Sequence, residues 1–124
     1  MNDRIKHLRF LIVETALFVA ASLVHAGILV SGFEHARAIV AEGVIGAVLA
    51  IGLLTCLIRP RHAAGAALSV QAFALLGTLV GAFTISVGVG PQTRGDVAFH
   101  ALLLLVLPAG ILAAWKAWRQ RRAG

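Results

Sequence analysis

His25, Glu42 and His100 are the residues of this chain best placed to do chemistry, because each is a titratable group set inside a long apolar run. A charged side chain at the centre of a lipid-embedded helix costs about 2.5–3.5 kcal/mol on insertion scales, so such groups face a bundle interior or a cavity. Counted at about 1.5 Å per helical residue, the three lie roughly 5–9 Å below the same end of three helices. Thr84 and Ser86 of a fourth reach a similar level. Two imidazoles and a carboxylate suit a transition metal such as zinc, copper or iron, and the two histidines alone suit haem ligation. The same set suits a quinone headgroup or a proton relay, since histidine titrates near neutral pH. Glu34 and His35 form a second, outer polar shell or a wet loop. No Glu-x-x-His or similar pair supplies two ligands from one helix, which weighs against a metal. The structural alternative is a neutral imidazole that pairs with Glu42 or donates to a carbonyl. If the outer layer holds a cofactor, replacing His25 or His100 by Ala should remove it while the fold survives.

A thinner polar layer lies in the other half. Glu14 is about one turn into helix 1 and Gln71 about two turns into helix 3, with Thr55 and His62 near the same end. Glu14 and His25 are eleven residues apart, nearly one face at about 100° per residue. One face of helix 1 could therefore line a polar path through the bundle. The competing expectation is that Glu14 reaches toward the interface and pairs with a cation such as Arg61.

Four apolar stretches must position these groups: Phe10–Val30, Ala38–Ile58, Ala63–Val89 and Val97–Trp115. Each approaches or exceeds the roughly 20 residues that span a hydrocarbon core of about 30 Å, and none alternates with period two, so helix is the expectation. With 60% hydrophobic residues and only 13% charged, both a soluble domain and a disordered chain are excluded. The expected fold is all-α, a single transmembrane domain over residues 1–124 built as a four-helix up-down-up-down bundle with short loops. Asp96 is expected to cap helix 4, and Pro108 to kink it. Gly77 and Gly81, and Gly43 or Gly46 with the alanines that follow them, allow close helix packing, first within the bundle and second in a homo-oligomer.

The net charge of +6 reads as topology rather than nucleic-acid binding. Arg4, Lys6, Arg9, Arg59, Arg61, Lys116, Arg119, Arg121 and Arg122 fall on one side of a four-pass chain, and only Arg37 and Arg94 on the other. The positive-inside rule then puts both termini in the cytoplasm, in a cell (inner) membrane, with Trp115 and Trp118 at the headgroup layer. The sole cysteine, Cys56, excludes an intramolecular disulfide and any cysteine cluster for zinc or iron–sulfur. Met1–Arg9 and the apolar run after it look like a signal peptide, but the run is too long for that and carries Glu14 and His25, so an uncleaved first helix is expected.

The stretch Ala41-Glu42-Gly43-Val44-Ile45-Gly46-Ala47-Val48-Leu49-Ala50-Ile51-Gly52-Leu53-Leu54, with Arg59-Pro60-Arg61-His62-Ala63-Ala64 after it, resembles the second helix and inner turn of the DoxX-like family of small four-helix membrane proteins. The resemblance covers about a third of the chain. Val24-His25-Ala26-Gly27 is similar to the family's His-Gly, while helix 1 lacks a glycine-rich outer end. The resemblance implies that Glu42 and His25 are the notable polar positions and that association with a membrane oxidoreductase or quinone-linked enzyme is to be expected. No nucleophile elbow, phosphate loop or nucleotide fingerprint is present. Three functions follow: a small redox protein binding a metal, haem or quinone; an accessory or assembly subunit of a larger membrane complex; and a small proton-linked transporter using Glu14, Gln71 and Glu42.

Overall fold

The computed structural model describes residues 3–124, with side chains from Ile5 onward, so the Arg4 side chain lies outside the described residues. It is all-α: α1 (Asp3–His25), α2 (Ala36–Ile58), α3 (Ala63–Ser86) and α4 (Arg94–Ala123), with a short 3-10 turn at Pro60–His62 between α2 and α3. No strand occurs among the described residues. All four α-helices are long and apolar enough to cross a membrane.

The burial pattern differs from a soluble protein's, with polar groups buried beside the apolar core and many large apolar side chains exposed. On α1 the buried positions are His7, Leu11, Glu14, Phe18, Ala21 and His25, a stripe with steps of four and three that includes three titratable groups. Ile12, Val13 and Val19 on the same helix point outward. A lipid tail is as apolar as leucine, so nothing drives these side chains inward, whereas the polar ones gain by facing each other. α1 packs chiefly on α2 and α3 on α4, while α2–α3 and α1–α4 contacts close the square. Small residues set the spacing: a Cβ on Gly46 would press on Phe18 and Val19, one on Gly77 on Ile45, and one on Gly52 on Val70. The glycines of α2 and α3 thus serve packing inside the bundle.

Helix ends differ from the apolar runs, each for a local reason. α1 stops at His25 rather than Val30. Gly27 takes φ +72°, its N–H donates to Val24 O (2.9 Å), and the Ile28 N–H donates to Leu23 O (3.0 Å), the pair of hydrogen bonds that ends a helix on a left-handed residue. At its other end α1 begins at Asp3, since a helix continues through charged residues once it leaves the apolar layer. α2 begins at Ala36, where the His35 ring accepts from the Ala38 N–H (3.2 Å). α3 ends at Ser86, shortly before Gly88 at φ +79°. α4 starts earlier than expected, at Arg94, and the cap is Thr93 rather than Asp96. The Thr93 side chain takes the Asp96 N–H while the Asp96 carboxylate takes the Thr93 N–H, a reciprocal capping box. α4 is continuous through Pro108 and runs past Trp115 to Ala123.

A core of Leu11, Phe18, Leu49, Leu103 and Leu107 fills the middle of the bundle, with alanines of α3 and α4 around it. Phe18 meets Phe99 edge-on, with ring centroids 6.4 Å apart. Arg121, near the end of α4, donates to the carbonyls of Pro60 (2.6 Å) and Arg61 (3.2 Å), tying α4 to the α2–α3 turn.

Candidate functional site: a buried Glu–His–Asp cluster beside an apolar pocket

The left-handed turn at Gly27 leaves His25 in the last turn of α1 and sends residues 26–34 into a loop. That loop returns so that the His35 N–H donates to the His25 carbonyl (3.0 Å). Entering α2 at this point places Glu42, in its second turn, beside the His25 ring. The capping box places Asp96, in the first turn of α4, on the ring's other side. His25 Nδ1 lies 2.7 Å from Glu42 Oε2, and Nε2 lies 3.0 Å from Asp96 Oδ1. All three side chains are buried. The second Asp96 oxygen accepts from the Thr93 N–H and hydroxyl. Both ring nitrogens donate when His25 is an imidazolium, and a neutral ring needs one of the carboxyls protonated to complete the set. One imidazole between two carboxylates thus joins three helices.

His100 stands one turn below Asp96, and its Nδ1 lies 2.9 Å from the Asp96 carbonyl oxygen. A carbonyl only accepts, so Nδ1 carries the proton and Nε2 faces α3. There Gly81 leaves room: a Cβ would sit 2.7 Å from Nε2. Beside His100 lies a pocket of about 210 Å³. Its walls include Phe18, Ile45, Phe99 and Leu103, and its polar groups include Glu42, His100, Thr84 and His35. Glu42 therefore belongs to both the pocket and the cluster, while His25 sits behind it and does not line the pocket.

The other expected site residues divide clearly. Thr84 lines the pocket but bonds its hydroxyl to Gly81 O (2.8 Å). Ser86 is exposed and bonds Phe83 O (2.7 Å), so it takes no part. Glu34 is exposed in the 26–34 loop, where it accepts from the Gly32 N–H (2.9 Å). Backbone N–H groups of Glu34 itself and of Gly32 hold its carboxyl below the ordinary carboxylate range. The expected His25–Glu42–His100 metal set is not assembled. Both His25 nitrogens are taken by carboxylates, and among the described residues no three His, Cys, Asp or Glu side chains converge on a metal position. His25, the other histidine expected to ligate a haem, does not line the pocket that His100 borders.

In the other half of the bundle Gln71 Nε2 donates to both oxygens of Glu14 (3.1 and 3.0 Å), and both side chains are fully buried. Gly110 makes the space, since a Cβ there would press on both. The expected Glu14–Arg61 pair is not formed: Glu14 faces inward and Arg61 is exposed in the α2–α3 turn. Thr55 bonds Ile51 O (2.8 Å) and His62 is exposed, so neither joins this layer. Phe18 and Ala21 separate Glu14 from His25 on α1, so the expected polar path is two separate polar layers with the apolar core between them.

Sequence reasoning missed Asp96 as a site residue and His7 as a third buried titratable group of α1. Thr93-x-x-Asp96 carried a signal, since that pattern starts a helix and commits the carboxylate to its first turn. His7 lies seven residues before Glu14, on the same stripe, but it stands in the charged leader and was not singled out. Comparison of the chain with protein-family models, with curated proteins and with solved structures yields no match.

Proposed function

We propose that the chain is a multi-pass membrane protein that binds the polar head of a small lipophilic molecule, of quinone type, in the pocket beside His100. The Glu42–His25–Asp96 cluster supplies the protons that such a head takes up when a partner membrane oxidoreductase delivers its electrons, which gives the protein a role in membrane redox chemistry. The carrying observation is that Glu42 both lines the pocket and bonds His25. Mostly apolar walls with a few convergent polar groups are what an amphiphilic ring requires. Ala41 and Val80, which line the pocket, are exposed on the faces that meet lipid, and this favours a ligand that arrives through the bilayer. The helices run up-down-up-down, with both termini on the cytoplasmic side of the inner membrane. The placement of the basic residues at the end with both termini supports that orientation.

The test is calorimetric titration of the detergent-purified protein with a short-chain benzoquinone. Saturable binding is expected, weakened at least about tenfold, or about 1.4 kcal/mol, in Gly81→Val, which pushes a side chain against His100. Absence of saturable binding to the native protein would overturn the reading. A second reading is then favoured by the way His25 braces α1, α2 and α4: an accessory subunit of a larger membrane oxidoreductase, in which the cluster only orders the bundle.

A further inference from the structure

α4 has 30 residues, about 45 Å of helix at 1.5 Å per residue, against a hydrocarbon core of about 30 Å. With Thr93 capping one end, the surplus emerges at the other, beyond Trp115. There Trp115, Trp118, Arg119 and Arg122 recur at helical spacings of three and four and so share a face. The two indoles stack, with centroids 5.1 Å apart and planes 25° from parallel. The Arg122 guanidinium lies 4.0 Å above the Trp118 ring. Such a cation–π contact flattens the guanidinium on the ring and leaves its N–H edge free to donate. Arg121 is spent on the Pro60 and Arg61 carbonyls and so holds the Arg59-Pro60-Arg61 turn against this end of α4.

Among the described residues no carboxylate pairs with Arg59, Arg61, Arg119 or Arg122, and Glu14, Glu42, Asp96 and Glu34 all lie elsewhere. An aromatic shelf at the depth of the headgroups, edged by unpaired planar cations, matches one partner by charge and by depth. We infer that Trp115, Trp118, Arg119 and Arg122, beside the Arg59–Arg61 turn, form a binding site for the phosphate of an anionic phospholipid. The indoles sit against the glycerol and upper acyl region, while the guanidinium edges take the phosphate oxygens in the two-pronged manner arginine favours. The site is far from the pocket and does not depend on what the pocket binds.

Trp115 and Trp118 are the only tryptophans, so intrinsic fluorescence reports this site alone. The experiment is quenching of the full chain in bilayers that mix phosphatidylcholine with phosphatidylglycerol, with bromine on the chains of one lipid or the other. Brominated phosphatidylglycerol is expected to quench as though enriched at least about fivefold around the indoles, the effect of one cation near an anionic surface. Raising sodium chloride to 0.5 M should reduce the enrichment. Arg119→Gln with Arg122→Gln, both solvent-exposed changes that keep the indoles, should bring it close to one. Equal quenching by the two lipids in the native chain would overturn the site, as would an undiminished preference in the double variant.

Discussion

His25 stands between two carboxylates in a medium that solvates neither. Removing one partner of a buried charge cluster strands the others, and such losses run to about 3–5 kcal/mol. His25→Ala should therefore destabilise the bundle by about that amount in a denaturant titration in detergent. The double variant His25→Ala with Glu42→Gln should recover part of it, because one of the stranded charges is gone. Equal stability of His25→Ala and the native chain would mean that the cluster carries no load. The earlier expectation that His25→Ala empties a site while leaving the fold intact thus passes to His100, which borders the pocket without bridging helices. Glu34 offers a milder residue-scale test. Its carboxyl is depressed by backbone N–H groups, so its contribution is present above the ordinary carboxylate range and is lost as pH falls through the depressed one. The protection factor of the Gly32 amide, its intrinsic exchange rate over the measured one at each pH, should be high at neutral pH and fall on acidification as Glu34 gains its proton. Unchanged protection would remove Glu34 from the account of the loop.

At the level of elements, closeness of approach matters more than helix propensity. Gly52 and Gly43 both lie on α2, yet they meet different neighbours. A Cβ at Gly52 would overlap the Val70 side chain, whereas one at Gly43 meets only Ser22 Oγ at 3.3 Å. Valine is stiff at its first torsion and cannot swing away, so Gly52→Ala should cost about 1–3 kcal/mol through overpacking. Gly43→Ala should fall within about 0.5 kcal/mol of the native chain, as substitutions that avoid such clashes do. Thermal unfolding of the two variants side by side decides whether α2 packs on α3 in this register. The helix ends belong to this scale as well. Ile28, Leu29 and Val30 are apolar enough to continue α1, and the left-handed Gly27 overrides them. This single residue moves His25 from the body of a helix to its terminus, where the His35 N–H and a neighbouring helix start can reach it.

For the whole molecule, the distribution of charge leads to a test of orientation. On the proposed up-down topology nine of the eleven Lys and Arg share one end with both termini, while the buried acids Glu14, Glu42 and Asp96 lie within the bundle. On the proposed orientation, green fluorescent protein fused after Gly124 should fluoresce in cells, and alkaline phosphatase fused at the same place should be inactive. The opposite pair of results would reverse the topology and move the pocket to the cytoplasmic half.

How much was legible from residues alone follows from what each inference needed. Four membrane-length helices, and turns near residues 32, 60 and 91, depend on composition and on Gly and Pro, which act locally. That Glu42 and His25 would lie at one level depends only on counting residues along helices, and it held to within hydrogen-bonding distance. Which group completes the cluster was not readable by counting. His100 was expected in that place and Asp96 only as a cap; the two share a face of α4 one turn apart, and the packing of α4 against α1 sets Asp96 level with His25 and leaves His100 to the pocket. Glu14 likewise had the choice of an exposed Arg61 or a buried Gln71, and the missing Cβ of Gly110 on a third helix made the buried choice possible. Hydropathy and local turn chemistry act within a few residues, so the chain alone determined the helices, their number and the levels of the polar groups. Partner choice depends on the rotation and separation of helices that are distant in sequence, set by side chains packing across the bundle, and the tertiary structure alone decided it.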